Sequence, residues 1–322
     1  DLYNNVESPL IRVLANMEIS GVKFDKNEIE ELKKEVEIKI EKISNEIYNM
    51  AGMKFNISSP KQLGEVLFDK MEIPTYRTAK GNPSTDHATL SKIINVHPII
   101  EKILEYRNLS KIYSTYLDTL SAYVMEDGKI HTIFKQNVAR TGRLSSIEPN
   151  LQNIPIRSEE GKKIRKAFVP SENCILVSGD YSQIDLRVLA HISNCESLIK
   201  AFNESEDIHT AVASDIFNVP KEAVTKTMRR TAKAVIFGIV YGISSYGLGE
   251  NLDIPANEAK KYIDKYLSLY PGVKKYMDDI VIDAKKDGFV RTMMGRKRTI
   301  DELKNTNYMI RQAGERIALN TP

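Results

Sequence analysis

The 322-residue sequence contains only two cysteines, Cys174 in an apolar run and Cys195 in a short polar turn. Two thiols make neither a disulfide framework nor a four-ligand zinc site, so a reducing cytosol is the default setting. No stretch approaches the roughly 20 uninterrupted apolar residues of a membrane span. The N-terminal DLYNNVESPL lacks the basic-then-apolar order of a secretion signal. There is no low-complexity tract and no internal repeat. Excess charge of one sign is missing too: the net charge is +3. So small a balance fits a nucleic-acid partner but does not argue for one.

What is present is mostly helical patterning. Asp25 followed by Glu28 reads as a capping box. Ile29, Leu32, Val36, Ile40, Ile43 and Ile47 then recur every three or four residues among Lys and Glu, which predicts a long amphipathic helix to Met50, closed by Gly52. A loop-rich stretch follows, with Ser58-Ser59-Pro60 and a turn at Lys80-Gly81-Asn82-Pro83. A second long helix is expected from Pro98 to about Tyr123. Beyond Gly128, the alternation of Ile130, Thr132 and Phe134 predicts a strand, and Thr141-Gly142-Arg143 a turn. Cys174–Gly179 reads as a short buried strand ending on Asp180. Helix is expected again from Ile184, from Pro220 through Gly242, and from Glu258 to Leu269, where Pro271-Gly272 is read as a stop. Gly288–Thr292 and Lys297–Ile300 predict a hairpin through Gly295, and Tyr308 onward another helix.

Two places carry chemistry. A carboxylate at a strand end, such as Asp180, is rigidly held yet open to solvent, which suits Mg²⁺. The other reading of Gly179-Asp180 is an ordinary strand-to-helix turn with an Asp cap. Arg229, Lys233, Phe237 and Tyr241 are spaced four apart and form one stripe on a helix, cationic at one end and aromatic at the other. Cations neutralise a triphosphate, and a flat ring stacks on a base. On spacing alone, solvated cations with core-facing rings remain equally open.

The motifs narrow this. Asp180-Tyr181-Ser182-Gln183-Ile184-Asp185-Leu186-Arg187 resembles motif A of the family A DNA polymerases, DYSQIELR. Residues 229–242 resemble motif B, RRxxKxxxFGxxYG. Residues 141–155 resemble the primer–template segment TGRLSSxxPNLQNIP, Asp207-Ile208-His209 the short D-x-H segment, and Arg316, Ala318 and Asn320 the RxAxNxP run. The resemblance runs over essentially the whole chain. It implies a helix-rich α+β fold of right-hand form: palm with an antiparallel sheet (1–24, 123–193 and 301–322), thumb (25–122) and fingers (194–300).

The resemblance also implies roles. Asp180 would bind two Mg²⁺ ions, with the Tyr181 carbonyl as a further ligand. Arg229, Lys233 and His209 would grip the triphosphate of a dNTP, and Lys233 would protonate the leaving pyrophosphate. Phe237 would pack on sugar and base, and Tyr241 would cover the template side. Gln183 and Arg143 would approach the primer terminus. Asn150, Gln152 and Asn153 would lie along the primer–template DNA, and Arg316 and Asn320 would face the template strand. Arg107, Lys111, Ser114 and Thr115 would meet the duplex backbone. A cytoplasmic monomer with no membrane partner is the family's default.

Two departures stand out. Asp185 replaces the family's usual Glu, a gate that closes over the sugar 2′ position and hydrogen-bonds to the tyrosine at the position of Tyr241. One methylene fewer is expected to lose or rearrange that contact and to weaken exclusion of ribonucleotides. Second, the V-H-D-E motif carrying the family's other shared metal ligand is absent from these residues, and Asp301, Glu302 and Glu315 read as solvated charges. The chain as written is expected to bind DNA and nucleotide but to polymerise poorly. No paired D-x-E exonuclease signature occurs, so no nuclease activity is expected. Two further readings are open to the same residues: a non-catalytic primer–template or nucleotide-binding module, and a single-subunit RNA polymerase. The acidic residue in DYSQIDLR argues against the latter.

Overall fold

The structure, a computed structural model, describes residues 1–74, 83–156, 158–204 and 207–322. The expected turn at Lys80–Pro83 lies, up to Asn82, outside the described residues. The chain is a helix-rich α+β fold with small antiparallel sheets, and it forms two compact units. One comprises 9–138 and 144–177; the other comprises 1–8, 139–143 and 178–322.

The first unit is organised by its longest helix. Helix α1 (Ser8–Ser20) and strand β1 (Val22–Lys23) precede helix α2 (Lys26–Ala51). Asp25 caps α2, but its carboxylate accepts the Asn27 amide at 2.9 Å rather than that of Glu28, so the cap is simpler than a capping box. Gly52 ends α2 in the left-handed region at φ 68°, which an L side chain tolerates poorly. Ile29, Leu32, Val36, Ile43 and Ile47 are buried, as their spacing requires. They join α3 (Pro60–Gly64, capped by Ser59), α4 (His87–Lys92) and α5 (Pro98–Ile112) in one core.

The expected helix to Tyr123 is regular only as far as Ile112. The backbone then widens through Tyr113–Leu117, where the Asp118 amide bonds back to the Tyr113 carbonyl, and finishes in a tight turn at Leu120–Tyr123. The expected strand divides into β2 (Lys129–Ile130), paired with β1, and β3 (Ile133–Lys135), paired with β4 (Ser145–Ile147). The break falls at Thr132, whose buried hydroxyl turns inward to Ser146 Oγ at 2.7 Å. Helix α6 (Glu159–Lys166) packs on α2.

One expectation fails outright. Cys174–Gly179 forms no strand, and its apolar side chains face solvent: Ile175 is 82 % and Val177 83 % exposed. A strand is stable only when a neighbour takes its amides and carbonyls. None of the described residues pairs with this run, so hydropathy alone does not bury it.

The second unit is a helical cluster: α7 (Ile184–Ile192), α8 (Glu196–Asn203), α9 (Ile208–Phe217), α10 (Lys226–Val240), α11 (Ser245–Leu252), α12 (Ala256–Leu269) and α13 (Pro271–Asp287). Pro220 opens only a short turn; Thr225, whose hydroxyl accepts the Met228 amide at 3.2 Å, sets the start of α10. Pro271, expected as a stop, also opens α13. Proline suits a first helical position because no hydrogen bond is asked of its nitrogen there. The expected hairpin is present as β5 (Phe289–Arg291) and β6 (Lys297–Thr299), with Gly295 at φ 85°, followed by α14 (Tyr308–Asn320).

Helix α10 decides what this unit can do. Ala232, Val235, Ile236 and Ile239 are buried along one face, against α9, α11 and α12. Gly238 lets Ile243 fold back on the helix: a methyl there would lie 2.5 Å from Ile243 Cγ2. Replacing Ile236 with Ala removes a fully buried side chain and is expected to cost about 2–4 kcal/mol, read as a lower urea midpoint of unfolding.

Candidate functional site

The buried face of α10 leaves the opposite stripe in solvent. Arg229, Lys233 and Tyr241 are exposed and Phe237 is half-buried. The Lys233 ammonium lies 5.6 Å from the Phe237 ring centre, and the Phe237 and Tyr241 rings are near-parallel at 6.4 Å. The stripe is therefore continuous, and the reading in which both rings turn to the core does not hold.

Carboxylates from neighbouring helices hold both ends. At the cationic end, Arg229 Nε donates to Asp207 Oδ2 at 2.9 Å and its Nη2 to Oδ1 at 3.3 Å. Asp207 also caps α9, accepting the His209 amide at 3.1 Å and the Thr210 hydroxyl at 2.8 Å. Burial pushes the Asp207 carboxyl up, but Arg229 and Thr210 outweigh it and hold the pKa at about 2. At the aromatic end, the Tyr241 hydroxyl donates to Asp185 Oδ2 at 2.7 Å. The shorter Asp side chain thus keeps the contact that was expected to be lost or rearranged. That bond, and then burial, raise the Tyr241 pKa.

His209 is buried, 5 % exposed, with its ring 6.0 Å from that of Phe237 and its Nδ1 without a partner among the described residues. Burial first, then Arg229 and Lys233, lower its pKa against the pull of Asp207. At neutral pH the imidazole is therefore uncharged and offers one N–H, not a cation.

Arg143, Asp185, Tyr241 and Asn320, far apart in sequence, line one cavity of about 180 Å³. Asn320 Nδ2 donates to the Tyr241 carbonyl at 3.4 Å. Gly242, at φ 64°, lies against the stem of Arg316: a methyl there would come 3.0 Å from its Cγ. Gln183 precedes α7 in the left-handed region and does not line this cavity. Arg187, also in motif A, ties that turn down by donating to the Ser182 carbonyl at 3.0 Å.

The first unit holds a separate cleft of about 560 Å³. Lys111 and Thr115, from the end of α5 and the turn after it, meet Asn150 and Asn153 there, and Ser114 is exposed on the same turn. Some of the residues expected along DNA also bond within the fold. Asn150 Oδ1 accepts the Gln152 amide at 3.0 Å, and the Gln152 side chain bonds Leu144 and Ser146. Arg107 is half-buried with its guanidinium on Thr85.

Asp180 and Tyr181 are exposed in the unpaired loop. Among the described residues, no three His, Cys, Asp or Glu side chains gather as a metal-holding group. Glu315 is committed to Lys285 at 2.6 Å. The residues present do not fit a two-magnesium site, since one carboxylate neither neutralises nor fixes two dications.

The family model for DNA polymerase family A matches residues 26–322. The chain belongs to that family. It is 51 % identical to DNA polymerase I of Geobacillus stearothermophilus over 323 residues and 50 % identical to that of Bacillus subtilis (strain 168) over 324. All of this chain is covered in both matches, but it spans only 37 % of either relative's length. The polymerase domain of Pol1 from M. smegmatis, solved with DNA primer-template and dNTP, superposes with a TM-score of 0.90 at 43 % identity, covering 99 % of this chain and 56 % of that one. No described helix is long and apolar enough to cross a membrane.

The motif reading missed one member of the site. Asp207 was noted as part of the family's D-x-H segment without a task; an acid two residues before a site histidine was the available signal. Its lowered pKa has a measurable consequence. A carboxylate depressed on folding stabilises the fold above its unfolded value, about 3.9, and loses that contribution as pH falls toward about 2. The stability gap between wild type and Asp207→Asn is therefore expected to narrow from pH 5 to pH 2.5, measured by urea unfolding.

Proposed function

We propose that this chain is the part of a template-directed DNA polymerase that holds the incoming dNTP and the primer–template. The observation that carries the reading is the α10 stripe, with cations, then Phe237, then Tyr241 in the order a triphosphate, sugar and base require. Arg229 offers a fork of donors and Lys233 a point charge to phosphate oxygens. In the whole enzyme Lys233 would also supply a proton to the leaving pyrophosphate, a role that rests on the family resemblance. Phe237 supplies the stacking surface, and Tyr241, with Arg143 and Asn320 on the same cavity, tests the template side. Gln183 would approach the primer terminus and Arg316 the template. Lys111, Ser114, Thr115, Asn150 and Asn153 would follow the duplex backbone, giving affinity without sequence preference.

In this reading, residues 25–122 act as thumb and 194–300 as fingers, with palm segments at 1–24, 123–193 and 301–322. Asp180 and the Tyr181 carbonyl would be the chain's share of a magnesium site. Because that share is one carboxylate, no phosphoryl-transfer step is assigned to these residues alone. The same observation favours, for this chain in isolation, the second reading: a non-catalytic module that binds primer–template and nucleotide.

Titration with a fluorescent dNTP tests the seat. Lys233→Ala removes a charge-assisted contact of about 1.5–3 kcal/mol, so affinity is expected to fall roughly tenfold or more. Affinity unchanged in both Lys233→Ala and Phe237→Ala contradicts the assignment. Asp185 bears on sugar selection. Its carboxylate is held by Tyr241 on a shorter stem than the family's Glu and reaches less far over the 2′ position. The ratio of dNTP to rNTP affinity is expected to rise in Asp185→Glu; an unchanged ratio removes Asp185 from sugar selection.

A further inference from the structure

The Asp207–Arg229 pair is unusual in where it sits. Placing a carboxylate beside a seat for a polyanion opposes binding by simple Coulomb repulsion. A residue that only neutralised Arg229 would therefore be a liability. Its hydrogen bonds describe a different task. Asp207 accepts from four donors on two helices: the His209 amide, the Thr210 hydroxyl, and the Nε and Nη2 of Arg229. It is also the cap of α9, so swinging aside would give up that cap as well. It takes the side edge of the guanidinium, and the Nη1 edge has no partner among the described residues. On the same first turn of α9, buried His209 carries an Nδ1 that is also unpartnered among them.

We propose that Asp207 is a positioning residue for the nucleotide's triphosphate. One carboxylate fixes the Arg229 fork and the first turn of α9 in a single frame, so that the Nη1 edge of Arg229 and the ring of His209 are presented together to one phosphate chain. This rests on the reading of the α10 stripe as a nucleotide seat. Arg229 is exposed along a flexible stem, and an unrestrained side chain of that kind gives up rotamer entropy when it binds. A side chain already held by two hydrogen bonds gives up less, which is how pre-organisation raises affinity. The competing account makes Asp207 merely the cap of α9.

Asp207→Ser separates the two, because serine caps a helix about as well as aspartate but is too short to hold the Arg229 fork. The full chain and its Asp207→Ser, Arg229→Ala and doubly substituted forms are titrated with dATP and, separately, with inorganic tripolyphosphate. Helical content and the urea midpoint are followed alongside. Asp207→Ser is expected to keep the fold while weakening both ligands about fivefold, and to add nothing further once Arg229 is Ala. Charge alone predicts the opposite sign, tighter binding. Unchanged or tighter binding in Asp207→Ser, or a loss that persists undiminished in the Arg229→Ala background, overturns the proposal while leaving the nucleotide seat standing. If Arg229→Ala binds both ligands as wild type does, the seat itself is misassigned and the proposal falls with it.

Discussion

Burial of one face of α10 is the constraint on which the rest of the second unit depends. Ala232, Val235, Ile236 and Ile239 fill the space between α9, α11 and α12 and leave no freedom to rotate the helix about its axis. A rotation of one residue would move an apolar side chain into water and bring a cation or a polar residue into the core. Each such exchange costs on the order of 1–3 kcal/mol. The direction in which Arg229, Lys233, Phe237 and Tyr241 project is thus fixed by the residues of the opposite, buried face. Gly238 and Gly242 serve the same end, allowing Ile243 and the Arg316 stem to close on the end of the helix.

Along that stripe, electrostatics refine the geometry rather than create it. Asp207 at one end and Asp185 at the other are exposed carboxylates in hydrogen-bonded pairs, Asp207 with a cation and Asp185 with a hydroxyl. Exposed pairs contribute little to stability. Their effect is on orientation: a guanidinium held side-on and a tyrosine ring held by its hydroxyl are each restricted to one arrangement. The uncharged imidazole of His209 adds a donor without adding charge. In the proposed function, neutralising a bound polyanion falls to Arg229 and Lys233.

What could be read from the sequence, and what could not, divides along a physical line. Helix α2, the α10 stripe and the β5–β6 hairpin were legible because each is specified locally, by apolar spacing, caps and a glycine at positive φ. Cys174–Gly179 was not, because strand formation depends on a partner and hydropathy carries no information about whether one is present. Pro271 was read as an end and is also a beginning, since proline breaks one helix and suits the first position of the next. Asp207 as the holder of Arg229 was invisible because 22 residues separate them and only the packing of α9 on α10 brings them together. The contact of Asp185 with Tyr241 was expected to be lost or rearranged on the strength of side-chain length, but the distance between two helices can absorb one methylene, and the bond is kept. Gln152, expected along the primer–template, and Arg107, expected at the duplex backbone, also hold backbone carbonyls of their own unit, a task that motif spacing does not show.

The central claim is that the α10 stripe is a nucleotide seat whose orientation the core of its unit fixes. The most direct measurement is a crystal structure of the chain with primer–template DNA and a dNTP. The account predicts phosphate oxygens within hydrogen-bond distance of Arg229 and Lys233, the sugar and base against Phe237, and the buried face of α10 unchanged. A nucleotide bound elsewhere, with the stripe still in solvent, would contradict it.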